Sequence, residues 1–143
     1  MTGIRSTGDR RVFVDTSAYY GLVDRTDNNH PDAVTISNQL TAGRYHQLTT
    51  EFVIAELHAL VLGRLGRDTA LKVLDELEQS STEIISVTHS DLSRAREIIR
   101  TYRDKDFSLT DAISFAVIER LAIPVAHSFD KHFVQFGLQV LSP

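Results

Sequence analysis

Four acidic residues occupy positions where a folded α/β chain concentrates its chemistry. Asp15 directly follows the apolar run 12–14, and Asp130 follows a second apolar segment near the end of the chain. Glu56 and Asp111 fall in the early turns of predicted helices. Carboxylates that lie within a few ångströms of one another need protons or cations to neutralise them, and their hard oxygens suit Mg²⁺ or Mn²⁺. Such a cluster can activate water for the hydrolysis of a phosphodiester.

Asp15 has two interpretations, and the sequence leaves both open. Aspartate is a preferred N-cap, so Asp15 can simply begin the helix that Thr16 and Ser17 enter. Asp15 also stands at the carboxyl end of a predicted strand, and ligands of open α/β sheets bind outside the carboxyl ends of the strands.

Glu56 lies in a helix of unusual composition. A helix capped by Thr50 is predicted to run to about residue 63, and between Phe52 and Leu62 only Glu56 and His58 are polar. This pattern predicts a helix that is buried on most of its faces. A glutamate in such a helix needs an ion-pairing arginine or a metal, because an isolated buried carboxylate is costly.

Asp111 belongs to an acidic turn. Ser108 and Asp111 have the spacing of a capping box in front of an apolar helix, and capping alone would explain Asp111. Capping does not explain why Asp106 and Thr110 lie in the same turn, because a second acid adds repulsion unless a cation is present.

Short apolar segments alternate with helical patterns along the chain, which is typical of a parallel sheet covered by helices. We predict strands at about residues 12–14, 45–49, 83–87, 124–127 and 138–141. The predicted fold class is therefore α/β, with a mostly parallel sheet between two layers of helices. In this layering, strand carboxyl ends and the helix N-termini that follow them share one edge, so the four acids are expected to converge there.

Length and composition limit the kind of protein. The 143 residues suit one domain, which we expect over residues 11–143 after a loose polar leader over residues 1–10. The absence of cysteine excludes disulfides, thiolate metal sites and a cysteine nucleophile. The net charge of −4 argues against broad coating of nucleic acid but is compatible with a nuclease that recruits cations through clustered acids. No apolar run approaches the roughly 20 residues that span a bilayer, and the leader lacks a signal-peptide core, so we expect a cytoplasmic protein.

Four segments of the chain resemble the successive motifs of PIN-domain ribonucleases, above all the VapC-type toxins of toxin–antitoxin pairs. The segments are Val12-Phe13-Val14-Asp15-Thr16-Ser17-Ala18, Ile54-Ala55-Glu56-Leu57, Ser108-Leu109-Thr110-Asp111-Ala112 and Ser128-Phe129-Asp130-Lys131-His132-Phe133. The resemblance implies a three-layer α/β/α sandwich. It also implies that a Mg²⁺ or Mn²⁺ cofactor is bound by four catalytic acids, namely Asp15, Glu56, Asp111 and Asp130. Asp106 is a possible outer member of the same metal site.

The same resemblance implies an activity and partners. The activity is endonucleolytic cleavage of RNA that leaves a 5′-phosphate and a 3′-hydroxyl. The partners are a second copy of the chain, in a homodimer, and a small VapB-like antitoxin whose tail enters the site. Thr16, Ser17, Thr110 and Ser128 become candidates for orienting carboxylates or water, and Lys131 for a phosphate contact. Ser128 stands where family members often have threonine, and it keeps the hydroxyl.

Other classes of protein fit the sequence less well. A haloacid-dehalogenase-like phosphatase needs a second acid two residues after the strand-end aspartate, where this chain has Ser17. A receiver domain needs an acidic pair near the end of the first strand and an acceptor on a middle strand, and the order of acids here does not match. Two alternatives within the PIN class stay open: a housekeeping RNA-processing nuclease, and a non-catalytic domain that binds a partner protein.

Overall fold

A four-stranded, all-parallel sheet forms the centre of the structure, a computed structural model that describes residues 8–143. The strands are β1 (Arg11–Val14), β2 (His46–Thr50), β3 (Glu83–Ile85) and β4 (Val125–His127), and they lie in the order β3-β2-β1-β4. Each neighbouring pair is parallel. The predicted α/β class is confirmed. The predicted leader, residues 1–10, lies mostly outside the described part of the chain.

Seven helices accompany this sheet across residues 8–143. They are α1 (Thr16–Val23), α2 (His30–Ala42), α3 (Glu51–Leu65), α4 (Arg67–Gln79), α5 (His89–Thr101), α6 (Leu109–Leu121) and α7 (Lys131–Phe136). No helix within residues 8–143 is long and apolar enough to cross a membrane.

Adjacent residues of β1 show how the helices divide between the two faces of the sheet. Successive side chains of a strand point to opposite faces. Val12 packs with Ile36 of α2, whereas Phe13 packs with Ile98 of α5 and Phe115 of α6. The sheet therefore lies between two helical layers, which confirms the three-layer sandwich.

The predicted strand over residues 138–141 is wrong as a strand. This segment forms a single parallel bridge between Val140 and Ala126 of β4. The Ala126 N–H donates to the Gln139 carbonyl at 2.9 Å, and the Leu141 N–H donates to the Ala126 carbonyl at 2.9 Å. Because β4 itself is only three residues long, the segment that passes it pairs with one residue and forms no regular ladder.

The prediction that α3 is buried on most of its faces is also wrong. Its inward face is fully buried and consists of Val53, Leu57 and Val61. Its opposite face carries exposed apolar residues at helical spacing, namely Phe52, Ala55, Ala59 and Leu62. Apolar composition predicts burial but does not distinguish burial inside the chain from burial against a partner.

Three strand-to-helix junctions place polar side chains at one edge of the sheet. Asp15 caps α1 directly after β1, Thr50 is the last residue of β2 and caps α3, and Asp130 caps α7 shortly after β4. Since the strands are parallel, their carboxyl ends share this edge. The topology alone thus places Asp15 and Asp130, the first and last of the four predicted site acids, after the ends of neighbouring strands.

Candidate active site

Asp15 is both a helix cap and a buried member of the site. Its side chain accepts a hydrogen bond from the Ser17 N–H at 3.4 Å, which is the N-cap interaction. The residue is only 2% exposed, and its backbone N–H donates to the His127 carbonyl at 3.0 Å. The N-cap interpretation of Asp15 is therefore confirmed, and Asp15 also lies at the carboxyl end of β1, as the second interpretation requires.

Two serine hydroxyls hold the Asp15 carboxylate in place. The hydroxyl groups of Ser17 and Ser128 each donate to Asp15 Oδ2 at 3.0 Å, and their Oγ atoms lie 3.2 Å apart. The hydroxyl oxygens in turn accept backbone N–H groups, Ser17 from Phe129 at 2.8 Å and Ser128 from Asp130 at 3.0 Å. The serine pair thus ties the first strand-end acid to the turn that carries the last one.

Asp111, Asp130 and His132 form a compact group beside this pair. One ligand atom from each of the three residues lies within 4.8 Å of the others. His132 Nδ1 is 3.1 Å from Asp111 Oδ2 and 3.1 Å from Asp130 Oδ1. The capping box holds Asp111 at its place, because the Ser108 N–H donates to Asp111 Oδ2 at 3.3 Å and the Asp111 N–H donates to Ser108 Oγ at 3.0 Å.

His132 is the site residue that the sequence analysis missed. It lies two residues after Asp130, and its backbone N–H donates to Asp130 Oδ1 at 2.9 Å. This capping contact turns the imidazole back towards the acids. The sequence contained one indication of this role, a histidine two residues after a strand-end acid. A lone histidine in the first turn of a helix, however, has many ordinary structural roles.

Electrostatic interactions connect the carboxylates of Asp15, Asp111 and Asp130. Burial, reinforced by the charge of Asp111, raises the pKa of Asp15 from its ordinary 3.8 to about 7. Burial and the charge of Asp130 raise the pKa of Asp111. The three carboxylates therefore form a chain of repelling neighbours. Keeping Asp15 ionised without a cation costs on the order of 4 kcal/mol, taking about 1.4 kcal/mol for each pKa unit.

An unpaired oxygen indicates that the residues fit a cation. Asp15 Oδ2 carries the hydrogen bonds, whereas Asp15 Oδ1 is buried and finds no hydrogen-bond partner among residues 8–143. Thr16, the next residue in sequence, has a buried hydroxyl that also lacks a hydrogen-bond partner among residues 8–143. Buried polar atoms in folded proteins are nearly always satisfied, so an orphaned carboxylate oxygen beside other acids suits a divalent metal ion with oxygen ligands.

The remaining predicted site residues are not part of these hydrogen bonds. Glu56 is half-buried on α3, and within the described chain its side chain makes no hydrogen bond or ion pair, so the arginine pairing considered for it does not form. Asp106 and Lys131 are exposed, and Thr110 is half-buried on α6. The structure joins Asp15, Ser17 and Ser128 in one hydrogen-bonded group and Asp111, Asp130 and His132 in a second, and the Asp130 N–H, which donates to Ser128 Oγ, connects the two.

The structure is a three-layer α/β/α sandwich whose acids lie at the carboxyl edge of a parallel sheet. A family model of the PIN domain matches residues 12–138, so the chain belongs to the PIN-domain family. The family that the four sequence motifs indicated is thereby confirmed.

Similar proteins cover nearly the whole chain. Ribonuclease VapC26 of Mycobacterium tuberculosis is 27% identical over 123 residues, which are 85% of this chain and 89% of that protein. The crystal structure of VapC20 from Mycobacterium tuberculosis, a toxin that cleaves the sarcin–ricin loop, matches with a TM-score of 0.83 and 27% identity, over 92% of this chain and 99% of that one. VapBC2 of Rickettsia felis, solved on a DNA fragment of its promoter, matches with a TM-score of 0.69 and 16% identity, over 93% of this chain and 99% of that one, and shares the fold.

We predict that Asp15→Asn stabilises the metal-free protein in a pH-dependent manner. The folded-state pKa of Asp15 is raised, so the folded protein binds this proton more tightly than the unfolded chain does. The parent therefore loses stability as pH rises from about 4 to about 7, and the variant lacks this loss. The free energy of unfolding of Asp15→Asn minus that of the parent, measured by urea denaturation in EDTA, should grow with pH and level off above about pH 7.

His127 provides the internal comparison for that experiment. Burial lowers the pKa of His127 to about 4, so the unfolded chain binds this proton more tightly and the parent gains stability as pH rises from about 4 to 6.5. His127→Gln should therefore change the pH slope in the direction opposite to Asp15→Asn. Parallel stability curves for Asp15→Asn and the parent would contradict the raised pKa.

Proposed function

We propose that this protein is a metal-dependent endoribonuclease that cleaves RNA phosphodiester bonds as the toxin of a toxin–antitoxin pair. The observation that carries the proposal is the buried Asp15 carboxylate, with one oxygen unpaired, within the electrostatic reach of Asp111. Membership of the PIN-domain family and the similarity to VapC ribonucleases support it. The toxin role is favoured over housekeeping RNA processing because the relatives that align over most of their length are VapC proteins.

Asp15, Asp111 and Asp130 would hold the metal, with Glu56 and Asp106 as further carboxylates of the site. The half-buried, unpaired Glu56 lies on the helix that starts at the carboxyl end of β2, so its position on the sheet edge favours this role. A bound Mg²⁺ or Mn²⁺ would supply Lewis-acid activation of water and neutralise the charge that develops on the phosphate.

The other side chains orient these acids and meet the RNA. Ser17 and Ser128 fix the rotation of the Asp15 carboxylate, which leaves Oδ1 directed away from their hydrogen bonds. The imidazole of His132 contacts both the Asp111 and the Asp130 carboxylate through Nδ1 and so holds the two side chains relative to each other. Thr16 and Thr110 carry hydroxyl groups and are the sequence neighbours of Asp15 and Asp111. The exposed Lys131 is available to a phosphate of the RNA backbone.

The exposed apolar face of α3 supports the proposed protein partners. Phe52 is 39% exposed and Leu62 is 46% exposed on the side of α3 that faces away from the core. Exposed apolar patches of this kind mark protein interfaces, so we assign this face to a homodimer and expect a VapB-like antitoxin to complete the assembly.

We predict that Asp111→Asn and Asp15→Asn each lower RNA cleavage on the order of 100-fold or more, because each removes a carboxylate that the reaction uses directly. The measurement is the cleavage rate of a mixed RNA pool with Mn²⁺, with circular dichroism to show that the fold is kept. EDTA should abolish cleavage by the parent.

Asp75→Asn is the matched control, because Asp75 is an exposed acid on α4 that lies outside the site. This variant should cleave like the parent. Equal cleavage by the parent and Asp111→Asn would refute the assignment of the site.

We predict that His132→Ala weakens Mn²⁺ binding about 10- to 100-fold, the usual effect of losing a side chain that orients metal-binding carboxylates. His132→Asn should recover part of this affinity, because its amide N–H can replace the Nδ1 contact with Asp111 and Asp130. The measurement is calorimetric titration of the metal-free protein. His89→Ala, an exposed histidine of α5, is the control, and unchanged affinity in His132→Ala would show that the imidazole does not position the acids.

A further inference from the structure

A cavity of about 530 Å³ opens directly beside the acids. Ser128 and Asp130 form the wall that it shares with the site described above. The opposite side comes from the start of α2 and the outer face of α7. This volume lies within the range of roughly 300–1,000 Å³ that is usual for pockets that bind small molecules or parts of larger ligands.

The polar side chains of this cavity have no partners of their own. Asn29 is the N-cap residue of α2, but its side chain makes no capping hydrogen bond. Within residues 8–143, the side chains of Asn29, Asp32, Lys131 and Gln135 make no hydrogen bond or ion pair, although all four line the cavity. Their two amides, one carboxylate and one ammonium group are therefore free to contact a ligand.

The apolar side of the cavity is held in a fixed position. Phe129 packs edge-on against His127 with their ring centroids 5.6 Å apart, and its backbone N–H donates to Ser17 Oγ. Val134 is 50% exposed and contributes a second apolar surface. At the start of α2, His30 Nδ1 contacts the Gly21 carbonyl at 2.7 Å and so fixes the turn that carries Asn29.

We infer that this cavity binds one base of the RNA substrate, next to the bond that is cut, and that it prefers guanine. The inference rests on the proposed function, because it assigns a place to the substrate of that same site. Single-stranded RNA is recognised through unstacked bases that lie against aromatic side chains and pair through their polar edges. An aromatic and apolar wall with free amides and a carboxylate supplies both kinds of contact.

Asp32 decides the preference among the bases. An ionised carboxylate only accepts hydrogen bonds, and it can accept two at once. Guanine presents two neighbouring N–H donors on its pairing edge, N1–H and N2–H, together with the O6 acceptor. The amides of Asn29 and Gln135 can donate to O6, and the ammonium group of Lys131 can contact a phosphate of the RNA backbone.

The test measures base preference rather than activity. Single-stranded RNA with randomised positions is cleaved by the full chain with Mn²⁺, and the ends of the products are sequenced. The parent should prefer guanine at one position next to the cut. Asn29→Ala, Asp32→Ala and Gln135→Ala should each reduce that preference on the order of 10- to 100-fold, the usual contribution of one good polar contact to a base, while total cleavage persists.

Two exposed residues outside the cavity provide matched controls, Asn38→Ala for the amides and Asp75→Ala for the carboxylate. Both should keep the preference of the parent. A parent that cleaves no RNA would overturn the proposed function and this subsite with it. A parent that cleaves RNA with a preference for another base, or with a guanine preference that the three cavity variants leave unchanged, would overturn the subsite alone.

Discussion

The buried charge of Asp15 is the constraint on which the rest of the site depends. A carboxylate that is 2% exposed and stands beside another acid is costly to ionise, and the pKa of about 7 expresses that cost. Its surroundings offset the cost in part, through two serine hydroxyls and the backbone N–H of Ser17. They leave one carboxylate oxygen without a partner. A divalent cation at that oxygen would remove most of the penalty, so the same arrangement that destabilises the metal-free protein favours metal binding.

The parallel sheet makes this arrangement possible with few residues. β1 and β4 are neighbours, so Asp15 and Ser128 meet although 113 positions separate them in sequence. The acids also serve local structure, since Asp15 and Asp130 cap helices and Asp111 closes a capping box. Capping therefore fixes the backbone conformation at Asp15, Asp111 and Asp130.

The sequence predicted the frame of the molecule better than the details of its site. The apolar run before Asp15, the capping box at Ser108 and the alternation of strands and helices were sufficient for the fold, because they are local patterns with clear physical causes. The exposure of the outward face of α3 was not predictable, because the sequence does not distinguish an apolar side chain in the core from one on the surface, and Phe52 and Leu62 are apolar in either place. His132 was missed because its role depends on a backbone contact with Asp130 and on the approach of α6, which no local pattern encodes. The cavity beside Asn29 and Gln135 depends likewise on how α2 and α7 are placed around β4.

The most direct test of the central claim is anomalous diffraction from crystals of the protein grown with Mn²⁺. The account predicts a Mn²⁺ ion at the carboxyl edge of the sheet, bound by Asp15 Oδ1 and by the carboxylates of Asp111 and Asp130. A well-ordered site that holds no ion under these conditions, or an ion bound away from Asp15, would contradict the claim that the buried acids of this edge form a metal centre.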